Sequence, residues 1–305
     1  MKTSGNKYLI VISGPTASGK SSLAMTLAKK YGCSILSADS RQIYRDMNIG
    51  TAKPTPEDMA EVHHYFIGIL EPGAPYSAGQ FERDVDEVLQ SEFQKKDLAI
   101  LCGGTGFYIE SALYGLDNFP TIPEKFKQQL ESEWREKGLG PLVEELRMRD
   151  PEIADTLDLN NPRRVLRALS VARHTGRPVT SFYRKKEKSL PYQPLFILLL
   201  PDRKKLYGRI NQRVDQMMEM GLEKEARELY DRGLNERIHT VGYTELFDYF
   251  DGLISLNEAV DLIKRNTRRY AKRQLTWFRK KENWKPFSGH STKEVIAYVE
   301  SIFES

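Results

Sequence analysis

The chain has 305 residues, 40% hydrophobic and 29% charged, with a formal net charge of +4. That length supports one large domain or two modest ones with a proper core. No apolar stretch approaches the roughly 20 residues that span a bilayer, residues 1–6 do not form a secretory signal, and the two cysteines, Cys33 and Cys102, lie in apolar runs expected to keep them as buried free thiols. A cytoplasmic protein without membrane contact is expected.

The first half alternates predicted strands and helices. A strand over residues 7–13 leads into Gly14-Pro15-Thr16-Ala17-Ser18-Gly19-Lys20-Ser21, and a helix follows over 19–31. Strand, glycine turn and helix are the setting that a phosphate-binding P-loop requires. Gly14 and Gly19 let the backbone curl so that successive N–H groups point inward, and the helix N-terminus adds its positive field. Lys20 supplies a mobile cation for outer phosphate oxygens, and the Ser21 hydroxyl is placed to ligate magnesium. Further strands are predicted over 34–38, ending at Asp39, over 65–70, and over 98–102, closed by Gly103-Gly104. An amphipathic helix over 77–96 separates the last two. Continuous apolar strands interleaved with helices indicate a parallel sheet covered on both faces, an α/β fold. Ligands bind at the carboxyl ends of such strands, which gathers residues 14–21, Asp39 and 103–105 around one crevice.

Residues 117–190 are charged and helical and are bordered by Pro120, Pro123, Pro191 and Pro194; they read as a helical insertion into the core. A fifth core strand follows over 195–200, and the chain from 203 onward is predicted helical. The core is therefore expected over 1–116 and 191–305.

Charge is unevenly placed. The run LIKRNTRRYAKRQLTWFRKKENWK, residues 262–285, holds ten Lys or Arg and one acid, Glu282. At helical spacing Arg265, Arg268, Arg269 and Lys272 share one face, while Ile263, Thr267, Tyr270, Ala271, Gln274 and Phe278 share the other. Tyr270, Trp277, Phe278 and Trp284 are aromatics able to stack on bases. A second basic cluster is Arg163, Arg164, Arg167 and Arg173. Near-absence of acid, in two separate segments, points to nucleic acid as partner. The P-loop pattern usually brings an acid after a second strand, to hold magnesium and water; here the strand over 98–102 ends in Gly-Gly-Thr. Asp39 is the acid at a matching strand end and is suited to act as a general base. The pattern favours transfer of a group from a polyphosphate over hydrolysis.

The P-loop, Asp39-Ser40-Arg41-Gln42-Ile43-Tyr44, Gly50-Thr51-Ala52-Lys53-Pro54, Gly103-Gly104-Thr105-Gly106-Phe107-Tyr108, Val241-Gly242-Tyr243 and the segment 267–277 together resemble the bacterial tRNA dimethylallyltransferases. The resemblance runs from about residue 8 to 285. It implies a P-loop NTPase-like core and transfer of a dimethylallyl group from dimethylallyl diphosphate to N6 of adenine 37, beside the anticodon of tRNA. By that resemblance the P-loop cradles the donor diphosphate with Arg213, and with Arg209 one turn away. Asp39 matches the general base and Thr105 a residue near the reacting centre. Ser40, Arg41 and Gln42 continue the segment that contacts the extruded base. Arg163, Arg164, Arg167, His239, Gly242, Tyr243, Arg268, Lys272, Arg273, Gln274, Trp277 and Arg279 match tRNA-contacting segments. Magnesium is the implied cofactor, the anticodon stem-loop the partner, and a monomer the expected state. Arg41, Asn161-Pro162 and Thr244 depart from the family pattern.

The chemistry agrees. Displacement at an allylic carbon needs a stabilised diphosphate leaving group. The weakly nucleophilic adenine amine needs a proton acceptor, and the base must leave its stack to be reached. Elsewhere, His63 and His64 read as structural, Met217, Met218 and Met220 as core filler, and Trp134 as part of the insertion's core. A prenyltransferase for free adenine nucleotides and an RNA-binding P-loop ATPase are the competing readings. The insertion and the basic run speak against the first, and the missing second acid against the other.

Overall fold

The computed structural model describes residues 6–117, 119–183, 188–288 and 292–303. Its strands are β1 (Tyr8–Ser13), β2 (Ile35–Ser37), β3 (His64–Tyr65), β4 (Leu98–Cys102), β5 (Gln193–Leu199) and β6 (Lys285–Phe287). They make one sheet in the order β3-β2-β4-β1-β5-β6, with every pairing parallel. Every residue of β1, β2 and β4 is buried, which is why these strands read as unbroken apolar runs. Three of the crevice segments leave adjacent strands: residues 14–21 follow β1, Asp39 follows β2 and residues 103–105 follow β4.

Two strand expectations are corrected. Of the run 65–70 only Tyr65 joins the sheet, and Leu70 makes an isolated bridge to Tyr44, because Phe66 and Gly68 take φ of 65° and 60° and turn the backbone out of the ladder. The apolar character of Phe66 serves packing instead, its ring edge-on to Phe81 at 5.3 Å. The segment after 203 is not wholly helical, since residues 285–287 pair beside β5. Pro286 hides that strand from a sequence reading, yet a short edge strand tolerates it.

The helices of the first half are α1 (Lys20–Tyr31), α2 (Pro56–Glu61), α3 (Ala78–Lys95) and α4 (Gly106–Tyr114). Contacts divide the chain into two compact units, Met1–Tyr114 with Ser189–Ser305, and Gly115–Lys188. The smaller unit holds α5 (Glu124–Lys137), α6 (Gly140–Arg149), α7 (Pro151–Thr156), α8 (Pro162–Thr175) and a 3-10 turn, Val179–Phe182. Its core gathers Leu130, Leu142, Leu146, Val165 and Leu169. Asp150, 1% exposed, caps α7 through Ile153 N–H and accepts from Thr180 N–H at 3.0 Å. Two expectations change here. Trp134 is 36% exposed rather than core. Arg173 is no free cation: it donates to Glu133 at 2.8 and 2.7 Å and to Glu145 at 3.0 and 2.6 Å.

The larger unit continues with α9 (Arg203–Glu219), α10 (Leu222–Asp231), α11 (Thr244–Phe250), α12 (Leu256–Arg279) and α13 (Thr292–Phe303). One core cluster joins α1 and α13 to residues of β1, β4 and β5. A second gathers α9 to α12 around Val214, Met217, Leu222, Tyr243 and Ile263. Ser255 and Glu258 form a capping box that starts α12. The helix buries Ala259, Ile263, Ala271, Gln274 and Phe278 and leaves Arg265, Arg269, Lys272 and Arg273 exposed. It ends at Arg279, so the basic run 262–285 passes from helix into β6.

Candidate active site

The loop after β1 is shaped by backbone that side chains resist. Gly14 has φ 148°, and a Cβ there would meet the Leu199 carbonyl at 2.6 Å. Ala17 and Gly19 have φ of 61° and 95°, which turns the chain into the first turn of α1. Lys20 crosses back over the loop and donates to the Pro15 carbonyl at 2.8 Å. Burial lowers its ammonium to about 8, opposed by the nearby Cys102 and Asp39. The Ser18 hydroxyl is buried without a hydrogen-bond partner. A positive-φ loop at a helix start, an orphaned hydroxyl and a desolvated cation together form a cradle that an anion completes.

Asp39 and Thr105 meet beside that cradle. The Asp39 carboxylate accepts from Arg41 N–H at 2.9 Å. Thr105 Oγ1 accepts from Ser40 N–H at 3.0 Å and lies 3.3 Å from Ser40 Oγ. The two segments must touch for this, and Gly103 permits it: a Cβ there would stand 2.1 Å from the Ala38 carbonyl. Arg213, from α9, makes no hydrogen bond or ion pair among the described residues; burial lowers its guanidinium and Asp39 opposes the shift. Tyr270, from α12, is pushed up to about 12 by burial and by Asp39, so its hydroxyl keeps its proton.

Two cavities share this wall. The first, about 250 Å³, lies over residues 16–22 and reaches Ser37, residues 51–54, Asp58, His64 and Cys102. The second, about 420 Å³, is lined by Ser40, Arg41, Gly50, Thr105, His239 and Gly242, with Ile210, Val214, Met217, Leu222 and Ile263 as an apolar side. Thr16, Asp39, Thr51, Arg213 and Tyr270 border both. Arg209 borders neither. A third, open cavity runs along α12 between Glu110, Arg269, Lys272, Arg273, Thr276, Trp277, Lys280 and Lys281. Trp277 lies across the start of α4, where only a glycine at 106 leaves room: a Cβ would stand 2.2 Å from the indole nitrogen.

Three residues expected to touch RNA use their side chains inside the protein. Gln274 is buried; its carbonyl accepts from Thr16 N–H at 2.9 Å and its amide donates to the Gly104 carbonyl at 3.0 Å. Tyr243 is fully buried and donates to Glu225 at 2.6 Å. Gln42 accepts from Ser37 and donates to the carbonyls of Thr51 and Ala52 at 3.2 and 3.0 Å. The expectation of RNA contact through these three side chains is set aside. Arg268 is half-buried and donates to Asn211 at 2.5 Å. Arg163, Arg164 and Arg167 are exposed on α8 of the smaller unit, and Arg279 is exposed at the end of α12.

Sequence reasoning missed other wall residues. Tyr270 reads from sequence as an inward helix residue able to stack on a base, not as a neighbour of Asp39. His64 borders the first cavity, its Nδ1–H toward the Val62 carbonyl at 2.8 Å and its imidazolium disfavoured by burial. Met217 is buried filler, as expected, but also lines the second cavity, while Met220 is 68% exposed. Only a tertiary fold brings α9 and α12 to the strand ends, so spacing along the chain carried no signal for these residues.

The IPP transferase family model matches residues 42–281. A tRNA dimethylallyltransferase of Cytophaga hutchinsonii is 43% identical over 296 residues, covering 97% of each chain. The crystal structure of the full-length tRNA isopentenylpyrophosphate transferase of Bacillus halodurans is similar at 38% identity and TM-score 0.72, over 98% of this chain and 97% of that one. A eukaryotic dimethylallyltransferase acting on tRNA is similar at 25% identity and TM-score 0.81, over 93% of this chain and 74% of that one.

Proposed function

The chain belongs to the IPP transferase family, and from that premise we propose that its two joined cavities bring dimethylallyl diphosphate to the N6 amine of adenine 37 of tRNA. It is a tRNA-modifying prenyltransferase. The observation that carries the finer reading is the shared wall. A phosphate cradle on one side and a half-apolar cavity on the other meet at Asp39, Thr16, Thr51, Arg213 and Tyr270.

The donor diphosphate lies over the loop 14–21 at the start of α1, with Lys20 and Arg213 as cations facing it. Both cations are desolvated in the free protein, so a bound anion relieves a cost already present in the fold. The target base reaches the second cavity only after leaving its stack. In the transfer the bond from the allylic carbon to the diphosphate oxygen breaks, and a bond from that carbon to adenine N6 forms. Asp39 accepts the proton that N6 loses, and the diphosphate departs into the cradle. Thr105 and the amide of residue 40 hold the segment that carries Asp39 in place. Tyr270, protonated, offers a hydroxyl to the same space.

Magnesium fits this site. Among the described residues no three His, Cys, Asp or Glu side chains form a metal cage, and magnesium characteristically relies on substrate phosphates with one or two protein ligands. The exposed Ser21 hydroxyl at the start of α1 would hold it. An ion held there would supply neutralisation of the charge that gathers on the leaving diphosphate.

The exposed cations along α12, with Trp277, and those on α8 are the RNA-facing surfaces of this reading. Incubation of the purified protein with labelled dimethylallyl diphosphate and either bulk tRNA or AMP tests it. Label in tRNA alone is expected. Label in AMP alone, or hydrolysis of ATP with no label transferred, would contradict it.

A further inference from the structure

One carboxylate in the larger unit gathers an unusual set of donors. Glu225, in the first turn of α10, accepts from the backbone N–H of Asn48 and Ile49 at 2.8 Å each, and from Gly50 N–H at 3.0 Å. It also accepts from the Tyr243 hydroxyl at 2.6 Å. Three successive amides aimed at one anion make a nest, filled here by a side chain 175 positions away in the sequence. Charge-assisted bonds of this kind are about twice as strong as neutral ones.

What the clamp holds is cavity wall. Gly50 borders the second cavity, Thr51 both, and residues 52–54 the first. Tyr243 follows Gly242, and residues 239–242 also line the second cavity. The Tyr243 ring lies directly on the backbone of residue 50, where a Cβ would stand 2.6 Å from it. Gln42 fastens the next two residues, through the carbonyls of Thr51 and Ala52. Burial and the neighbouring Glu225 keep the Tyr243 hydroxyl protonated, and so a donor.

We propose that Glu225 is a positioning residue that fixes the wall at 48–52 against the wall at 239–242 and thereby sets the width of the acceptor cavity. The proposal rests on the function assigned above. It predicts a loss that falls mainly on use of the acceptor, because the amides that Glu225 holds, residues 48–50, do not border the phosphate cavity.

The test compares the full-length wild type with Glu225→Gln, Glu225→Ala and Tyr243→Phe. Thermal unfolding, donor affinity, and kcat and KM for tRNA are measured for each. Glu225→Gln places an amide NH₂ against donors, so at least one bond of the clamp is lost while the volume is kept. Its kcat/KM for tRNA is expected to fall at least tenfold, toward the roughly 10²-fold that a 1 Å misplacement costs, with donor affinity within about twofold. Tyr243→Phe keeps the three amide bonds and is expected to lose less. Where Glu225→Ala does not fold, Glu225→Gln decides. A folded Glu225→Gln protein with wild-type kcat/KM for tRNA overturns the clamp alone. So does a loss that vanishes once activity is expressed per folded molecule. A wild type that labels no tRNA overturns the clamp and the assigned reaction together.

Discussion

Replacement of Gln274 by leucine removes a side chain that ties α12 to both strand-end loops of the phosphate site. The side chain is buried, and its two amide atoms satisfy Thr16 N–H at 2.9 Å and the Gly104 carbonyl at 3.0 Å. Leucine keeps the volume and satisfies neither group. A buried donor or acceptor left unpaired costs about 1–3 kcal/mol, so two together cost about 2–6 kcal/mol. The lower part of that range is expected, because Thr16 borders both cavities and water can reach its amide. Glutamate at 274 is the graded control. It still accepts from Thr16 but sets an anion against the Gly104 carbonyl, where glycine leaves no slack: a Cβ at 104 would lie 2.2 Å from the Gln274 amide nitrogen. Urea unfolding of the three proteins, with the KM for donor, measures the effect. Stability within about 0.5 kcal/mol of wild type, the ordinary range for surface changes, together with an unchanged donor KM would refute the argument that Gln274 is a strut of the phosphate loop.

Lys20→Ala removes a charge-assisted contact to the donor diphosphate and is expected to lower turnover at least tenfold, on the order of 2–4 kcal/mol in the transition state, while tRNA binding measured by filter retention persists. The ammonium binds the donor only when protonated, and in the free protein it titrates at about 8. Donor KM is therefore expected to be flat with pH below about 8 and to rise about tenfold per unit above it; a flat profile from 7 to 9.5 would contradict that role. On α12 the exposed pair Lys272 and Arg273 replaces Arg268 as the sharper probe of phosphate contact, since Arg268 is held by Asn211. Lys272→Ala/Arg273→Ala is expected to lower the slope of log affinity for tRNA against log salt by about one per residue, and an unchanged slope would make this face a solvated one.

Much of the core was legible because the signals are local. The loop 14–21 declares itself through two glycines, a lysine and a serine after an apolar run. Asp39 and residues 103–105 fall at strand ends, and a parallel sheet places them together. The stripe of α12 followed from helical period alone, down to the burial of Ile263, Ala271 and Phe278. What failed was whatever depends on partners far along the chain. Gln274 sits on the inward stripe of α12 and Gln42 beside the catalytic acid, and the resemblance assigns both to RNA contact, yet their amides are committed to backbone groups of other segments. Tyr243 matches a tRNA-contacting segment until Glu225 and residue 50 are seen to enclose it. Arg173 counts as a free cation until α5 and α6 bring Glu133 and Glu145 to it. Trp134, taken for core by its size, stays 36% exposed on α5. The run 65–70 failed for a backbone reason, the positive φ of Phe66 and Gly68, which composition does not reveal.

The central claim is that Asp39, at the wall common to both cavities, takes the proton from the adenine amine. Single-turnover transfer from saturating dimethylallyl diphosphate to tRNA, compared between wild type and Asp39→Asn, tests it most directly. Asparagine keeps the shape and the bond from Arg41 N–H but removes the proton acceptor. The account predicts a rate lower by about 10²–10⁴-fold, the usual contribution of a general base, with donor affinity and tRNA affinity close to wild type. A rate within a few-fold of wild type would contradict the account and make Asp39 a positioning group, with the base elsewhere in the cavity.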